Sequence, residues 1–248
     1  MKFDGIDPRT LHPGISIADE IPPGTVTSQL ETLSGSDGEI IAGRTIQQGE
    51  YIVRINIAGK YKAEGWHIRQ LIAGWARAAD IVTHKLIPTH WPTVYYDAIL
   101  KEISPPEFTK GFAVIDVVFT IPRPIAAAMN ESSVSGATPL QVKIGGTTWT
   151  KPAIGLTMKT ATGVELKVDG ETLLAIDGQY SSNDFVIVNT DPPMVQLMDG
   201  SEPKTINDRV DYTRTDFEAL CEAFSPGQHT LTAESASNAS VVWRDNWL

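Results

Sequence analysis

Apolar and polar residues alternate along several segments of the first half of the chain, with the two-residue period of a half-buried β-strand. Two longer segments, Val94–Ile103 and Phe112–Ile121, are rich in β-branched and aromatic residues and are separated by a Pro-Pro connection. We predict that these two are successive strands of one sheet. A third strand is predicted over residues 51–58, which place four apolar side chains on one face: Tyr51, Val53, Ile55 and Ile57.

One segment of the first half has the period of a helix instead. Its apolar residues follow the spacing i, i+3, i+4, i+7 and i+11, at Ile68, Leu71, Ile72, Trp75 and Ala79. Arg69, Gln70 and Arg77 lie off this stripe. We therefore predict one amphipathic helix that covers the sheet with its apolar face.

The pattern changes after residue 128. Residues 129–138 are mostly small and polar and have no period, which predicts a linker between a domain at 1–128 and a domain at 139–248. Beyond the linker, short strand candidates follow one another closely, which predicts a β-sandwich; they are residues 140–144, 153–158, 164–168, 172–176, 185–189, 228–233 and 240–244. A short helix is predicted over 215–224, with Thr215 and Glu218 as its capping box.

Asp-Gly pairs punctuate the chain. This dipeptide suits the positive φ values of tight hairpin turns, so each pair predicts a turn between antiparallel strands. The pairs lie at residues 4–5, 37–38, 169–170, 177–178 and 199–200. The predicted fold class is thus mainly β.

Composition narrows the possible functions. The chain has 248 residues, 42% hydrophobic and 20% charged, which is typical of a globular protein of about two domains. Its net charge of −10 should repel a phosphate backbone, so we expect no stable nucleic-acid binding. No apolar run approaches the roughly 18 residues of a membrane span, so we expect no membrane insertion. Residues 1–5 lack the apolar stretch of a secretory signal, which favours assembly in a cytoplasm.

The sequence carries no catalytic, cofactor-binding or metal motif that we can identify. Phosphate-binding loops are absent, and Gly145-Gly146 is interpreted as a tight turn because no predicted helix follows it. His84 and His90 do not have a zinc-ligand spacing. The single cysteine, Cys221, rules out an internal disulfide and is predicted to be buried and inert. We therefore predict that the protein is not an enzyme and needs no cofactor.

The six tryptophans leave two interpretations open. Large aromatic side chains usually belong to the core, but exposed ones can stack on sugars or anchor an interface. Trp75 lies on the helical stripe and is predicted to be core; the others are Trp66, Trp91, Trp149, Trp243 and Trp247.

Taken in order, these features resemble phage distal tail proteins. In the first half the resemblance rests on the opening Phe3-Asp4-Gly5-Ile6, the turn at residues 37–40, the strand at 51–58, the helix at 68–75 and the strand pair that ends at Ile121-Pro122-Arg123-Pro124. In the second half it rests on residues 164–171, 186–190, 224–231 and 241–247. Their order and spacing carry the resemblance, which covers nearly the whole chain.

The resemblance implies a structural role at the tip of a long phage tail. The first domain would be a split β-barrel-like domain with one α-helix, and six copies would form a homo-hexameric ring that continues the tail tube. The second would be a galectin-like β-sandwich. Implied partners are the tail tube protein and a tail-tip protein, such as a tail-associated fibre or lysin, and also a receptor-binding protein. The implied location is the virion tail tip, as a baseplate hub component.

Two alternatives remain open at this point. The sandwich could be a carbohydrate-binding module that assists host attachment, although fold analogy alone is a weak argument for that. The chain could also hydrolyse cell-wall polymers, because its 30 acidic residues allow many carboxylate pairs.

Overall fold

The computed structural model of the chain describes residues 1–23, 27–32, 39–45, 48–199 and 202–248. It has two compact units, Met1–Ala127 together with Leu248 (unit 1) and Ala128–Trp247 (unit 2). Both units are built mainly of antiparallel strands, so the predicted fold class is confirmed.

The described residues of unit 1 form one α-helix and a large antiparallel sheet. Its elements are β1 (Lys2–Phe3), β2 (Ile15–Ile21), β3 (Thr27–Thr32), β4 (Glu39–Thr45), β5 (Gly49–Ala58), α1 (Gly65–Trp75), β6 (His84–Ile87), β7 (Val94–Ile103), β8 (Glu107–Phe108), β9 (Phe112–Ile121) and β10 (Ala126–Ala128), with 3-10 helices at Pro8–Thr10 and Gly59–Glu64. Six strands follow the order β1-β6-β7-β9-β5-β2, β8 pairs with β9, and β3 pairs with β4. Among the described strands no pairing joins β1 to β2, so the sheet does not close into a barrel.

The longest pairing of this sheet is that of β5 with β9, which runs from Gly49 opposite Ile121 to Ala58 opposite Phe112. Alternate residues of both strands are buried, as the apolar pattern of residues 51–58 predicts. The bounds of β7 and β9 agree with the two predicted long strands, and β7 pairs with β9 in register from Ile99 opposite Thr120. The prediction that they share one sheet is confirmed.

Helix α1 covers the sheet with Ile68, Ile72 and Trp75, which are buried. The helix ends at Trp75, and Arg77 adopts a φ of +54°, which an α-helix cannot continue through. Ala79 therefore lies outside the helix and is exposed, so its predicted place on the apolar stripe is wrong.

Unit 2 is a sandwich of two antiparallel sheets. Its elements are β11 (Ser132–Ala137), β12 (Leu140–Ile144), β13 (Ala153–Met158), β14 (Ala161–Val168), β15 (Glu171–Tyr180), β16 (Phe185–Thr190), β17 (Pro193–Asp199), β18 (Glu202–Thr205), α2 (Phe217–Ala223), β19 (Gly227–Thr232), β20 (Ala236–Trp243) and β21 (Asn246–Trp247), with a 3-10 helix at Asn207–Arg209. One sheet has the order β11-β20-β13-β16-β17-β18 and the other β12-β19-β14-β15. Inward side chains of both sheets, such as Leu156 and Leu166, form one apolar core. The predicted β-sandwich is confirmed.

The segment predicted as a linker, residues 129–138, contains strand β11. It pairs with β20 from Ser132 opposite Trp243 to Ala137 opposite Asn238. Its half-buried positions are mostly small, so the strand lacks the apolar alternation on which the prediction relied. Its hydrogen bonds come from a partner about a hundred residues away, which local pattern cannot reveal.

The Asp-Gly predictions have mixed outcomes. Asp169 and Gly170 have φ values of +51° and +91° and connect β14 to β15, as predicted, and Asp4 and Gly5 also both have positive φ. Asp177-Gly178 is not a hairpin turn but lies inside β15, where the register with β14 shifts. Residues 37 and 38, and Gly200 of the last pair, lie outside the described residues.

The short helix α2 forms where expected, but its cap is a different residue. Asp216 accepts hydrogen bonds from the backbone N–H of Glu218 and of Ala219, both at 2.9 Å. Thr215 instead accepts a hydrogen bond from the backbone N–H of Ala175 on β15. The predicted capping box of Thr215 and Glu218 is therefore wrong by one residue, because Thr215 is engaged by the neighbouring strand.

Candidate functional site

A polar cavity of about 310 Å³ lies on the surface of unit 2. Residues of strands β14 and β15 line it together with Arg214 and residues 234–235. Arg214 donates a hydrogen bond to Glu165, and the Lys167 Nζ lies 3.7 Å from Glu165 and 3.9 Å from Glu234. The charges of the cavity are thus mostly neutralised by one another.

Glu165 and Arg214 form the best-defined ion pair of the cavity. The hydrogen bond from Arg214 lowers the pKa of Glu165, and the same bond raises the pKa of Arg214. Both side chains therefore stay ionised through the neutral range. The pair can offer hydrogen-bond donors and acceptors to a polar, uncharged ligand.

The side chain of His229 on β19 is buried and connects three segments of unit 2. Its Nδ1 lies 2.8 Å from the Asp169 carboxylate, and its Nε2 lies 2.7 Å from the Ser225 carbonyl oxygen. The hydrogen bond with His229 lowers the pKa of Asp169, which also accepts from the backbone N–H of Thr230. Because the Ser225 carbonyl oxygen occupies Nε2, His229 links segments of unit 2 and is not placed to act as a base toward a nucleophile.

A second polar cluster surrounds Glu20 in unit 1, whose side chain is largely buried. Glu20 accepts hydrogen bonds from the Tyr51 hydroxyl at 2.8 Å and from the backbone N–H of Thr89 at 3.0 Å. Burial alone would raise the pKa of Glu20, but the hydrogen bonds from Thr89 and Tyr51 outweigh it and lower that pKa. Burial and the bond to Glu20 raise the pKa of Tyr51. The cluster fastens β2 to β5 and is structural.

Several large apolar side chains of unit 1 are exposed. The aromatic ones are Trp66, which is 58% exposed, Phe108 and Phe112. Phe108 pairs with Ala113, and Phe112 is the next residue to Ala113 on β9, so the rings of Phe108 and Phe112 face opposite sides of the β8–β9 hairpin. Ile81, which is 93% exposed, and Val82 follow α1.

The sequence contained a signal for two of these exposed aromatic residues that our predictions did not use. Trp66 lies off the apolar stripe of α1, and Phe112 lies on the opposite face of β9 from Ala113 and Ile115. Phe108 had no comparable signal, because the two-residue strand β8 is too short to show a period.

The cysteine and the two histidines that were considered as candidate catalytic or metal-binding residues lie apart from one another. Cys221 is buried in α2. His84 Nε2 lies 3.0 Å from Asp80, and His90 is exposed in the loop between β6 and β7. Across the described ranges, no group of three or more His, Cys, Asp or Glu side chains could hold a metal ion. The described helices include none that is long and apolar enough to cross a membrane.

The tryptophans divide between core and surface. Trp75 and Trp243 are buried, and the Trp243 indole N–H donates to Asp245 at 2.9 Å. Trp91, Trp149 and Trp247 are half-buried, whereas Trp66 is exposed. The core interpretation holds for Trp75 and Trp243, and Trp149 does not line the polar cavity.

Comparisons with known proteins identify solved structures of similar fold. No family model matches the chain. No curated protein sequence matches it either. Among solved structures, the Dit protein of phage SPP1, described as a paradigm of the hub adsorption apparatus in phages that infect Gram-positive bacteria, superposes with a TM-score of 0.73 at 16% identity; the match covers 100% of this chain and 98% of that one.

Two structures of the phage P2 baseplate in its activated conformation also match. The one with Ca gives a TM-score of 0.50 at 12% identity over 94% of this chain and 90% of that one. The one with Sr gives 0.50 at 13% identity over 93% and 90%. The resemblance to phage distal tail and baseplate hub proteins is thus a likeness of fold that extends over both units.

Proposed function

We propose that this chain is a structural subunit of a phage tail tip, in which six copies form a ring that connects the tail tube to the host-adsorption apparatus. The observation that carries the proposal is the likeness to the SPP1 Dit protein, which spans both units of the chain and 98% of that protein. A likeness limited to one unit would support only a shared module, whereas this one includes the order and connection of the two.

The proposal assigns a task to each part of the chain. Residues 1–128 form the ring domain, which meets the tail tube protein on one side. Residues 139–248 form the sandwich domain, which together with the ring meets tail-tip components such as a fibre, lysin or receptor-binding protein. The large sheet of unit 1 ends in the strands β1 and β2, and contacts between subunits would cover such edges.

The net charge fits a conduit for DNA. A ring of six copies carries six times the chain charge of −10. DNA adheres to proteins mainly when cations replace its counterions, so an acidic ring lets DNA pass without sticking.

The role requires no chemistry and no cofactor. The polar clusters of the described residues support that view, because His229 and Glu20 are engaged in ties between segments, and the charges of the unit 2 cavity pair with one another. The location that follows is the virion tail tip, after assembly in the host cytoplasm.

Mass photometry of the purified chain over a concentration series tests the ring. We expect a species of six times the 27.0 kDa chain mass, which negative-stain imaging resolves as a ring with a central hole. A chain that stays monomeric at high concentration, in salt that preserves tails, would contradict the proposal.

A second candidate function is saccharide binding by unit 2, which the polar cavity favours. Arginine and carboxylate side chains, such as Arg214 and Glu165, can share hydrogen bonds with neighbouring hydroxyl groups. A glycan array should then show saturable binding that Arg214→Ala abolishes and that Arg54→Ala, which removes an exposed arginine of unit 1, leaves intact. No binding by the wild-type chain would exclude this candidate.

A further inference from the structure

We infer that two copies of this chain pair through unit 2, face to face, across the outer surface of its six-stranded sheet. The two copies are related by a two-fold axis, so each presents the same surface to the other. This contact is separate from the ring of the proposed function and does not rest on it.

The outer surface of the six-stranded sheet follows from the strand register. Along each strand alternate residues point away from the core, and cross-strand partners share a face. We call this surface the neutral face; it comprises Ser133, Ser135 and Ala137 of β11, Asn238, Ser240 and Val242 of β20, Ala153, Gly155 and Thr157 of β13, Phe185, Ile187 and Asn189 of β16, Met194, Gln196 and Met198 of β17, and Pro203 and Thr205 of β18. All of these residues except Gly155 are exposed or half-buried.

None of the described residues on the neutral face is charged. The whole chain is 20% charged, so a surface of this size would ordinarily carry about three charged side chains. The outer surface of the other sheet of unit 2 does carry them, at Lys143, Glu165 and Lys167. Lack of charge is therefore a property of one sheet of the sandwich, and charged residues are depleted where protein interfaces have their centre.

Charged side chains return at both ends of the strands that form the neutral face. Lys151, which precedes β13, pairs with Asp191, which follows β16. At the opposite end, Lys159 follows β13 and Asp184 precedes β16. An uncharged centre between charged margins is the arrangement of a protein–protein interface.

The charge of the chain favours a second copy as the partner at this face. Each copy carries a net charge of −10, so two copies repel one another when their charged surfaces approach. At the neutral face two copies can meet without burying like charges, which would be costly.

The heights of the side chains make the neutral face complementary to itself. Strands β11, β20 and β13 contribute mostly short side chains and form a low half, whereas β16 and β17 contribute longer ones, such as Ile187 and Met194, and form a tall half. The ring of Phe185 lies over Gly155, where an added Cβ would stand 2.6 Å from it, and marks the step between the halves. A two-fold axis at this step places the tall half of each copy on the low half of the other, as a contact between identical surfaces requires.

The size of the neutral face predicts a weak contact. Six strands about 4.8 Å apart, with about five residues each at about 3.4 Å, span roughly 24 Å by 17 Å. This projected area of about 400 Å² is half of the roughly 800 Å² that each partner covers in a standard interface. The apolar side chains, chiefly Phe185, Ile187, Met194 and Met198, supply the hydrophobic gain. We therefore expect single copies to pair with a micromolar dissociation constant.

The first experiment adds one negative charge to either sheet of unit 2 in the full chain. Gln196→Glu places the charge on the neutral face, and Gln141→Glu, on the outer surface of the other sheet, is the matched control. Sedimentation equilibrium over a concentration series measures the mass of each, and circular dichroism verifies the fold. We expect the largest species of the wild type and of Gln141→Glu to have twice the mass of that of Gln196→Glu. The dissociation constant for pairing should rise about tenfold or more in Gln196→Glu, because its charge would be buried without a partner.

The second experiment tests the two-fold axis. Ile187 lies beside the axis and faces its own counterpart, so Ile187→Cys should give a covalent dimer with a short bis-maleimide. Ser135 lies on the edge strand β11, across from Thr205 on β18 of the other copy. Ser135→Cys should therefore give no dimer alone, but should join to Thr205→Cys when the two variants are mixed. The native Cys221 is buried, and the wild type with the reagent is the control.

The outcomes separate this inference from the proposed function. The inference is wrong if the wild type never exceeds the mass of Gln196→Glu, or if Gln141→Glu lowers the mass equally. It is also wrong if Ile187→Cys gives no dimer, or if Ser135→Cys joins to itself as readily. The ring is judged independently from the mass of Gln196→Glu, which should be that of six chains if the ring forms and of one chain if it does not.

Discussion

The indole ring of Trp75 packs edge-on against the ring of Phe119, with centroids 6.0 Å apart and planes at 87°. The pair joins α1 to β9, the strand that lies between β7 and β5 in the sheet. Trp75 is 4% exposed, whereas Trp66 at the other end of the same helix is 58% exposed. One helix thus offers the same residue type in two opposite environments.

This contrast predicts unequal effects of the two substitutions. Trp75→Ala leaves a cavity between α1 and the sheet and should lower the free energy of unfolding by about 3–5 kcal/mol. Trp66→Ala should change it by no more than about 0.5 kcal/mol, because that side chain is mostly in water. Urea denaturation followed by circular dichroism measures both, and equal losses would contradict the packing described here.

The lowered pKa of Glu20 predicts a pH dependence. A carboxyl group whose pKa is lower in the folded state stabilises the fold above its unfolded value, about 4.3, and this stabilisation is lost as pH falls through the folded pKa. Glu20→Gln should therefore cost on the order of 1–2 kcal/mol near neutral pH, because hydrogen bonds to a charged acceptor are the stronger ones.

The difference between Glu20→Gln and the wild type should shrink as pH falls below about 4.3. Urea titrations at several pH values measure it. Glu50→Gln is the control, since Glu50 is exposed and its bond to Lys101 lies at the surface. If the difference in unfolding free energy between Glu20→Gln and the wild type stays constant down to acid pH, the charge of Glu20 does not contribute to stability.

Two glycines with open space around them should respond in opposite directions. Gly170 has a φ of +91° in the turn between β14 and β15, so Gly170→Ala should cost about 1–2 kcal/mol of unfolding free energy. Gly74 lies in α1 with ordinary helical φ and nothing within 4 Å of an added Cβ, so Gly74→Ala should stabilise by up to about 1 kcal/mol. Thermal denaturation gives both values, and shifts of the same sign would refute the reasoning.

The capping residue of α2, Asp216, allows two substitutions whose effects on stability should differ in size. Asp216→Ala removes the acceptor of two backbone N–H groups and should cost about 1 kcal/mol. Asp216→Asn keeps an oxygen in the same place and should cost far less. Hydrogen exchange of residues 217–223 reports the local effect, and Glu222→Ala, at an exposed position of the same helix, is the control.

Strands with regular apolar alternation could be predicted from the sequence, and those without it could not. Strands β7, β9, β12 and β13 have the predicted bounds, because each buries alternate or nearly all side chains in a core. Strand β11 was missed because its inward positions are small and its pairing partner is distant in sequence. Hydrogen bonds to a remote strand stabilise such a segment without leaving a local pattern.

The candidate surfaces were harder to predict than the fold. The off-stripe position of Trp66 can be read from the sequence, but the packing of Phe108 against Gly65 cannot, because it depends on a contact between α1 and the hairpin of β8 and β9. Likewise, Thr215 and Asp216 are both good capping residues, and only the contact of Thr215 with Ala175 decides between them. Tertiary contacts of this kind select among choices that local chemistry leaves equal.

The order in which unit 2 pairs its strands has a consequence for synthesis. The first strands of the unit, β11 and β12, pair with β20 and β19, so both sheets need residues that are synthesised about a hundred positions later. A nascent chain that stops before Ala236 leaves β11 and one side of β13 without the strand that joins them. The sandwich therefore cannot close until residue 243 has been synthesised, and chains that stop earlier lack the finished domain that assembly would require.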